Sequence, residues 1–268
     1  MIARKVQNFI SLLNRKPHQA GNKPTYESEQ TVNYYKQQQP QVQAGEKTIM
    51  QSIQKRISSM TMLDIGVGAG RTTYFFADQV KRYLGIDYSA TMVNACKDLY
   101  PSFAFEVGDV RQLAYADSSF DFLLFSFNGL DSISLSERHM ALKEIYRVLA
   151  PDGYFAFCTH NLGGIDRLFK FPLSFNIKKW YKVFVLRNAN KGYQQFKKAN
   201  HAVILDGANG YTISNYYTTV DFQLQQLAEF GFDDIQIINM QGEIITTEQA
   251  RMEKDLWLYF LCHKPARS

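Results

Sequence analysis

The residues most suited to chemistry lie in Met62-Leu-Asp64-Ile-Gly66-Val-Gly68-Ala-Gly70-Arg-Thr-Thr73. Glycines there allow a tight turn and let the backbone approach a ligand closely. A helix starting just after them points its free N–H groups at that ligand. Further along, Gly85-Ile-Asp87 ends a second strand-like run, and a carboxylate at that place suits the two hydroxyls of a ribose. Asp109 follows a third such run. A dinucleotide fingerprint, GxGxxG, would need glycine at position 71, which is arginine. The spacing is instead GxGxG, with an acid two residues before the first glycine. That acid repels a pyrophosphate and attracts a cation. The pattern therefore suits a nucleoside with an ammonium-bearing tail.

Elements able to position these residues follow from the hydrophobic rhythm. Strands are predicted at Met60–Ile65, Tyr83–Asp87, Phe103–Val107, Phe120–Phe127 and Tyr154–Thr159. Helices are predicted at 43–58, Gly70–Val80, Ala90–Leu99 and Ser134–Leu149. Alternation of this kind implies a parallel sheet of right-handed βαβ units. The rhythm breaks over 161–218, where a basic aromatic helix (Ile165–Leu186) precedes a hairpin of His201–Leu205 and Tyr211–Tyr217 around a Gly/Asn-rich tip. It resumes with a helix at Val220–Phe230 and strands at Ile235–Met240 and Leu256–Cys262.

Four segments, in order, resemble the motifs of class I S-adenosylmethionine (SAM)-dependent methyltransferases, of the small-molecule type. They are Asp64-Ile-Gly66-Val-Gly68-Ala-Gly70; Gly85-Ile-Asp87-Tyr-Ser-Ala-Thr-Met92; Val107-Gly-Asp109-Val-Arg-Gln-Leu113 followed by Phe120-Asp-Phe-Leu; and Glu144-Ile-Tyr-Arg-Val-Leu-Ala-Pro151-Asp-Gly153-Tyr. The resemblance covers 60–163 and 219–264. It implies an α/β fold: a Rossmann-like seven-stranded sheet with an antiparallel last strand, helices on both faces, and a lid inserted after strand 5. The expected divisions are a basic tail (1–24), a core with N-terminal lid helices (25–163), the inserted substrate lid (164–218) and the rest of the core (219–268).

The resemblance also implies roles. SAM is the expected cofactor and S-adenosylhomocysteine (SAH) the product. The Gly66, Gly68 and Gly70 turn would line the cofactor, with Asp64 near its amino group and Asp87 on the ribose. Tyr88 and Met92 would pack near the adenine, Asp109 would take its exocyclic amine, and Val110 would lie against the ring. Phe127 and Asn128 would flank the methionine moiety.

Acceptor class is read from the fourth strand's end. Base-modifying amino-methyltransferases carry Asn/Asp-Pro-Pro-aromatic there, whereas this chain has Asn128-Gly-Leu-Asp131. The paired-Glu loop of protein arginine methyltransferases is absent as well. That leaves transfer to an O or N atom of a small molecule, with an RNA or tRNA methyltransferase and a non-catalytic SAM/SAH-binding regulator as the rival readings. His160, just after the fifth strand, is the first candidate base, because an imidazole titrates near neutrality. Asp131 is the second. Each has a structural alternative, a hydrogen-bonded histidine and a helix-capping carboxylate. Tyr34, Tyr35, Asn161, Tyr216 and Tyr217 are candidates for the acceptor pocket.

The chain has 268 residues, with 30 Lys+Arg against 25 Asp+Glu, a net charge of +5. The surplus is local. Residues 1–23 hold five bases and no acid, and 165–200 hold nine bases and Asp166 alone, so the remainder carries −8. The basic insertion admits three readings: a surface facing an acidic acceptor, a membrane-surface or acidic-partner face, and a lid helix with solvated lysines. Aromatics among bases also bind single strands, but no nucleic-acid motif accompanies them. Ile2, Val6, Phe9, Ile10 and Leu13 give the N-terminal segment helical spacing, so it is a second candidate for peripheral membrane contact. Cys96, Cys158 and Cys262 cannot all pair and lack CxxC spacing, so reduced core thiols and no metal site are expected. No apolar run approaches the ~18 residues of a membrane span. A cytoplasmic monomer or homodimer is the expectation.

Overall fold

Five short runs pair in parallel: β1 (Thr61–Ile65), β2 (Arg82–Asp87), β3 (Ala104–Val107), β4 (Phe120–Phe125) and β5 (Leu149–Asn161). Their order across the sheet is β3-β2-β1-β4-β5. The sheet continues beyond β5 with β10 (Trp257–His263), β8 (Asp233–Ile238) and β9 (Ile244–Ile245). β10 runs antiparallel to both of its neighbours. This is a computed structural model, and it describes residues 23–37, 41–173, 176–208 and 213–266.

Alternation along the strands gives both faces a core. Leu63, Leu123, Phe125, Phe155 and Phe157 face one helical layer, against α6 (Leu135–Val148) and α9 (Val220–Glu229). Met62, Phe122, Leu124, Ala156 and Cys158 face the other, against α3 (Ala44–Ile53) and α5 (Ala90–Leu99). Helix starts carry their own signals. Ser134 caps α6 in a reciprocal box with Glu137, and Ser89 caps α5. All three cysteines are free and buried.

Several boundaries depart from expectation. The expected seven-stranded core is present, and among the described residues the predicted hairpin, β6 (His201–Ile204) and β7 (Asn215–Thr218), and the unforeseen short β9 add to it. β7 pairs in parallel with the end of β5, His160 opposite Tyr217, on the side away from β10. The β6–β7 hairpin thus extends the sheet past the end of β4. The predicted helix Ile165–Leu186 is two helices, α7 (Asp166–Phe169) and α8 (Ile177–Ala189). Pro172 lies between them, and it supplies no backbone N–H and disfavours helix in the residue before it. The helix after the glycine turn starts only at Thr73 (α4, Thr73–Phe76), and β5 starts at Leu149. A short helix, α10 (Thr247–Met252), was not foreseen. N-terminal helices α1 (Lys23–Tyr26) and α2 (Glu29–Gln37) are present, whereas the apolar-spaced segment before Lys23 and the hairpin tip at 209–212 lie outside the described residues.

Candidate active site

Strand order reverses direction between β1 and β4, and in open α/β sheets ligands bind outside the carboxyl ends of the strands at that point. A cavity of about 980 Å³ lies there. That is near the upper end of the ~300–1,000 Å³ usual for small-molecule sites. Gly66, Asp87, Asp109 and Ser126 bring the ends of β1, β2, β3 and β4 to its wall.

The glycine turn divides its work. Gly66 (φ +65°) is packed: a β-carbon there would sit 2.7 Å from the Phe125 ring. Gly70 packs on Tyr100 and stands off the cavity. Gly68 (φ +56°) lines the cavity, and a β-carbon there would meet nothing within 4 Å. Its missing side chain therefore leaves room for a ligand, not for protein. Asp64 also stands off the cavity. Its carboxylate is buried and accepts from the Thr72 hydroxyl at 2.6 Å and the Tyr83 hydroxyl at 2.7 Å. Burial pushes its pKa up to about 6. Asp64 braces the turn from beneath and does not reach toward a cofactor's amino group.

Asp87 is at the wall. Its Oδ2 accepts from Gly68 N–H at 3.0 Å and its Oδ1 from Ser89 N–H at 2.9 Å. Each oxygen keeps acceptor capacity for a diol. Burial raises its pKa, and the two backbone donors oppose that. Tyr88, Met92, Val110 and Phe127 line the cavity. Asp109 lines it too, and Arg111 pairs with it through Nε at 2.9 Å and also with Glu137. Asn128 is buried beside the wall, at φ +58°. Its N–H meets the Cys158 sulfur, and its Oδ1 has no partner among the described residues.

The two catalytic candidates meet. Asp131 lines the cavity; His160 is buried behind it and is not part of the wall. Asp131 Oδ2 takes His160 N–H at 2.7 Å and His160 Nδ1 at 2.8 Å. Its Oδ1 takes Arg138 Nη1 and the Thr159 hydroxyl, both at 2.7 Å. Four donors occupy this carboxylate. Nδ1 must carry hydrogen to meet an ionised carboxylate, which leaves Nε2 as the basic nitrogen. Nε2 lies 3.6 Å from Asp206 and 3.5 Å from Asn128 Nδ2.

Tyr35 and Tyr216 line the cavity. Tyr217 does not; its ring lies on His160 and its hydroxyl donates to Asp206. Asn161 is structural, donating to the carbonyls of Glu253 and Asp255. Tyr34 lies on α2, and its side chain is outside what the structure describes.

Sequence reasoning missed three groups. Arg71 forks onto the buried Glu46 at 2.6 and 2.8 Å, donates to Ser126, and lies 5.0 Å over Phe127. It occupies the slot that a dinucleotide turn gives to glycine, which was a signal. Tyr26 rests edge-on against Tyr88 and bonds Ser132. Arg138 is wholly buried. It lies on the α6 stripe of Ala141, Leu142, Ile145 and Val148, where an arginine breaks the apolar pattern.

Among the described residues the insertion gives the wall Val203, Ser214 and Tyr216, all from the hairpin region. No base of 165–200 is there. The reading of that segment as a surface for an acidic acceptor in this cavity is therefore corrected.

Comparison with known proteins gives three results. A methyltransferase-domain family profile matches residues 63–157. The demethylmenaquinone methyltransferase of Renibacterium salmoninarum is 24% identical over 75% of this chain and 78% of its own. The malonyl-[acyl-carrier protein] O-methyltransferase of Erwinia billingiae is 27% identical over 42% of this chain and 44% of its own. Other curated relatives are likewise matched over well under half of their own length. Among solved structures, the CcbJ methyltransferase of Streptomyces caelestis superposes with a TM-score of 0.61 at 14% identity, over 90% of this chain and 98% of that one. That last likeness is one of fold.

Proposed function

We propose that this chain acts as a class I SAM-dependent methyltransferase and transfers a methyl group to an oxygen or nitrogen atom of a small-molecule acceptor. The observation that carries the reading is the pairing of Gly68 and Asp87 across one cavity wall. Gly68 presents bare backbone to open space, and its N–H holds a carboxylate that still has lone pairs to offer. That donor set fits SAM: Asp87 for the ribose hydroxyls, Asp109 and Val110 for the adenine, Tyr88 and Met92 for the apolar flanks. Bound SAM supplies a sulfonium methyl, an electrophile that needs little further activation.

The chain's own part is alignment and exclusion of water. Tyr26, Ser132, Val203 and Tyr216 line the cavity together with Asp131, and this reading seats the acceptor among them. Asp131 has no lone pair left for a proton and instead fixes the tautomer of His160. His160 stands behind the wall, so where the acceptor carries a proton, Nε2 takes it through an intervening water. An acceptor panel scored by SAH release tests the proposal. Turnover on a small acceptor supports it. SAM binding with no turnover on any acceptor favours the regulatory reading, and turnover on RNA alone favours the nucleic-acid one. Two relatives act, by their names, on demethylmenaquinone and on a malonyl-[acyl-carrier protein], and both belong in the panel.

A further inference from the structure

Helix α8 has two unlike sides. Val183, Val185 and Leu186 are buried, and Leu186 joins a cluster with Phe169, Ile204 and Tyr217. The opposite side carries Ile177, Trp180, Tyr181 and Phe184, at spacing i, i+3, i+4 and i+7. All four are exposed: 84%, 43%, 51% and 53%. Leu173, just before the helix, is 98% exposed. This is a contiguous apolar stripe turned to water, which soluble surfaces rarely keep without a use.

The side of the helix turned away from the stripe is cationic. Lys170, Lys178, Lys179 and Lys182 are all exposed. The single acid of 165–200, Asp166, is paired with Lys197. The stripe is also held in place: Trp180 stacks on Phe171 at 4.6 Å, and Arg187 lies over the same ring at 4.4 Å. None of these side chains lines the cavity, so their charge and apolar area serve something outside the active site.

We propose that α8 docks the protein on the surface of an anionic lipid bilayer. Charge complementarity selects this occupant. Tryptophan and tyrosine favour the headgroup level, where one end is apolar and the other wet. The lysines on the rest of the helix draw it to an anionic surface without direct contact, because the attraction reaches about a Debye length, ~8–10 Å. Protein interfaces, by contrast, are depleted in lysine. The helix would lie in the interface plane with Ile177, Trp180 and Phe184 inserted. It packs on the β6–β7 hairpin, whose Val203 lines the cavity, so docking sets the acceptor end close to the bilayer. This inference stands apart from the acceptor's identity.

The test uses the full chain and vesicles of phosphatidylcholine, alone or with phosphatidylglycerol. The protein floats with the anionic vesicles and not with the neutral ones. The chain has two tryptophans, 180 and 257. Anionic vesicles shift the emission to the blue in the wild type, and Trp180→Phe loses that shift while still floating. Triple substitution Lys178→Glu/Lys179→Glu/Lys182→Glu weakens vesicle affinity by about a hundredfold. Ile177→Ser/Phe184→Ser weakens it by roughly tenfold or more. Both variants change exposed positions, and unaltered SAM binding verifies their fold. Equal flotation with neutral vesicles, no flotation, or full flotation of the triple variant overturns the proposal. So does a Trp180 signal that responds to single-stranded RNA or to protein concentration but not to vesicles.

Discussion

Asp131 and Arg138 meet at 2.7 Å with both side chains at 0% exposure. The arginine rises from the apolar stripe of α6 and also donates to the Leu130 carbonyl and to Gln223. Removing one partner of such a pair leaves an uncompensated charge, which costs about 3–5 kcal/mol. Arg138→Met therefore lowers unfolding stability by that order in denaturant titration. A loss under 1 kcal/mol would show that the pair is not isolated from water.

The same carboxylate positions His160. If His160 Nε2 is the base, His160→Ala lowers kcat by roughly a hundredfold or more with the true acceptor. Asp131→Asn, which alters the tautomer preference, lowers kcat while leaving SAM affinity near wild type. A His160→Ala enzyme with unchanged kcat refutes the base role and leaves the dyad as a brace for the ends of β4 and β5.

Two glycines of the cavity wall behave in opposite ways. Gly129→Ala drives a β-carbon into the Phe125 ring and loses folding stability. Gly68→Ala meets no protein atom and bears only its left-handed φ, about 1–2 kcal/mol. It folds but binds SAM far more weakly, because the new methyl occupies ligand space. Thermal melts with and without SAM separate the two. A Gly68→Ala protein stabilised by SAM as strongly as wild type contradicts the assignment.

Asp64 links the turn to pH. Its pKa is raised from 3.8 to about 6 by burial. The folded state thus binds a proton that the unfolded state has released. Its contribution to stability is fully present below about pH 4 and is lost as pH rises through about 6. Asp64→Asn, which still accepts from Thr72 and Tyr83, flattens that part of the stability–pH curve. It raises stability at neutral pH by on the order of 2–3 kcal/mol at most. An unchanged slope between pH ~4 and ~6 removes Asp64 as its source.

Much of the core was legible because strand alternation and helix caps are local signals. Ala90–Leu99 forms a helix as predicted, with Ser89 as its cap. Asp87 and Gly68 stand at the cavity wall, where their spacing at strand ends predicted a ligand-facing position. Asp64 reads the same way in sequence, yet its side chain turns inward onto Tyr83, a partner supplied by the neighbouring strand. The split of 165–186 followed from Pro172, a local signal that the apolar periodicity outweighed. The pairing of β7 with β5 was not legible, because a hairpin's docking edge is set by tertiary contact, not by pattern. The basic insertion was legible as basic, but only the structure separates its hairpin, on the cavity, from its helix, off it.

The central claim is that SAM binds between Gly68 and Asp87. Calorimetric titration of the purified chain with SAM, beside Asp87→Ala, tests it most directly. The account predicts one site per chain in the wild type. Loss of two hydrogen bonds to a charged acceptor predicts roughly a hundredfold or greater weakening in Asp87→Ala. Absence of SAM binding in the wild type, or equal affinity in the two proteins, contradicts it.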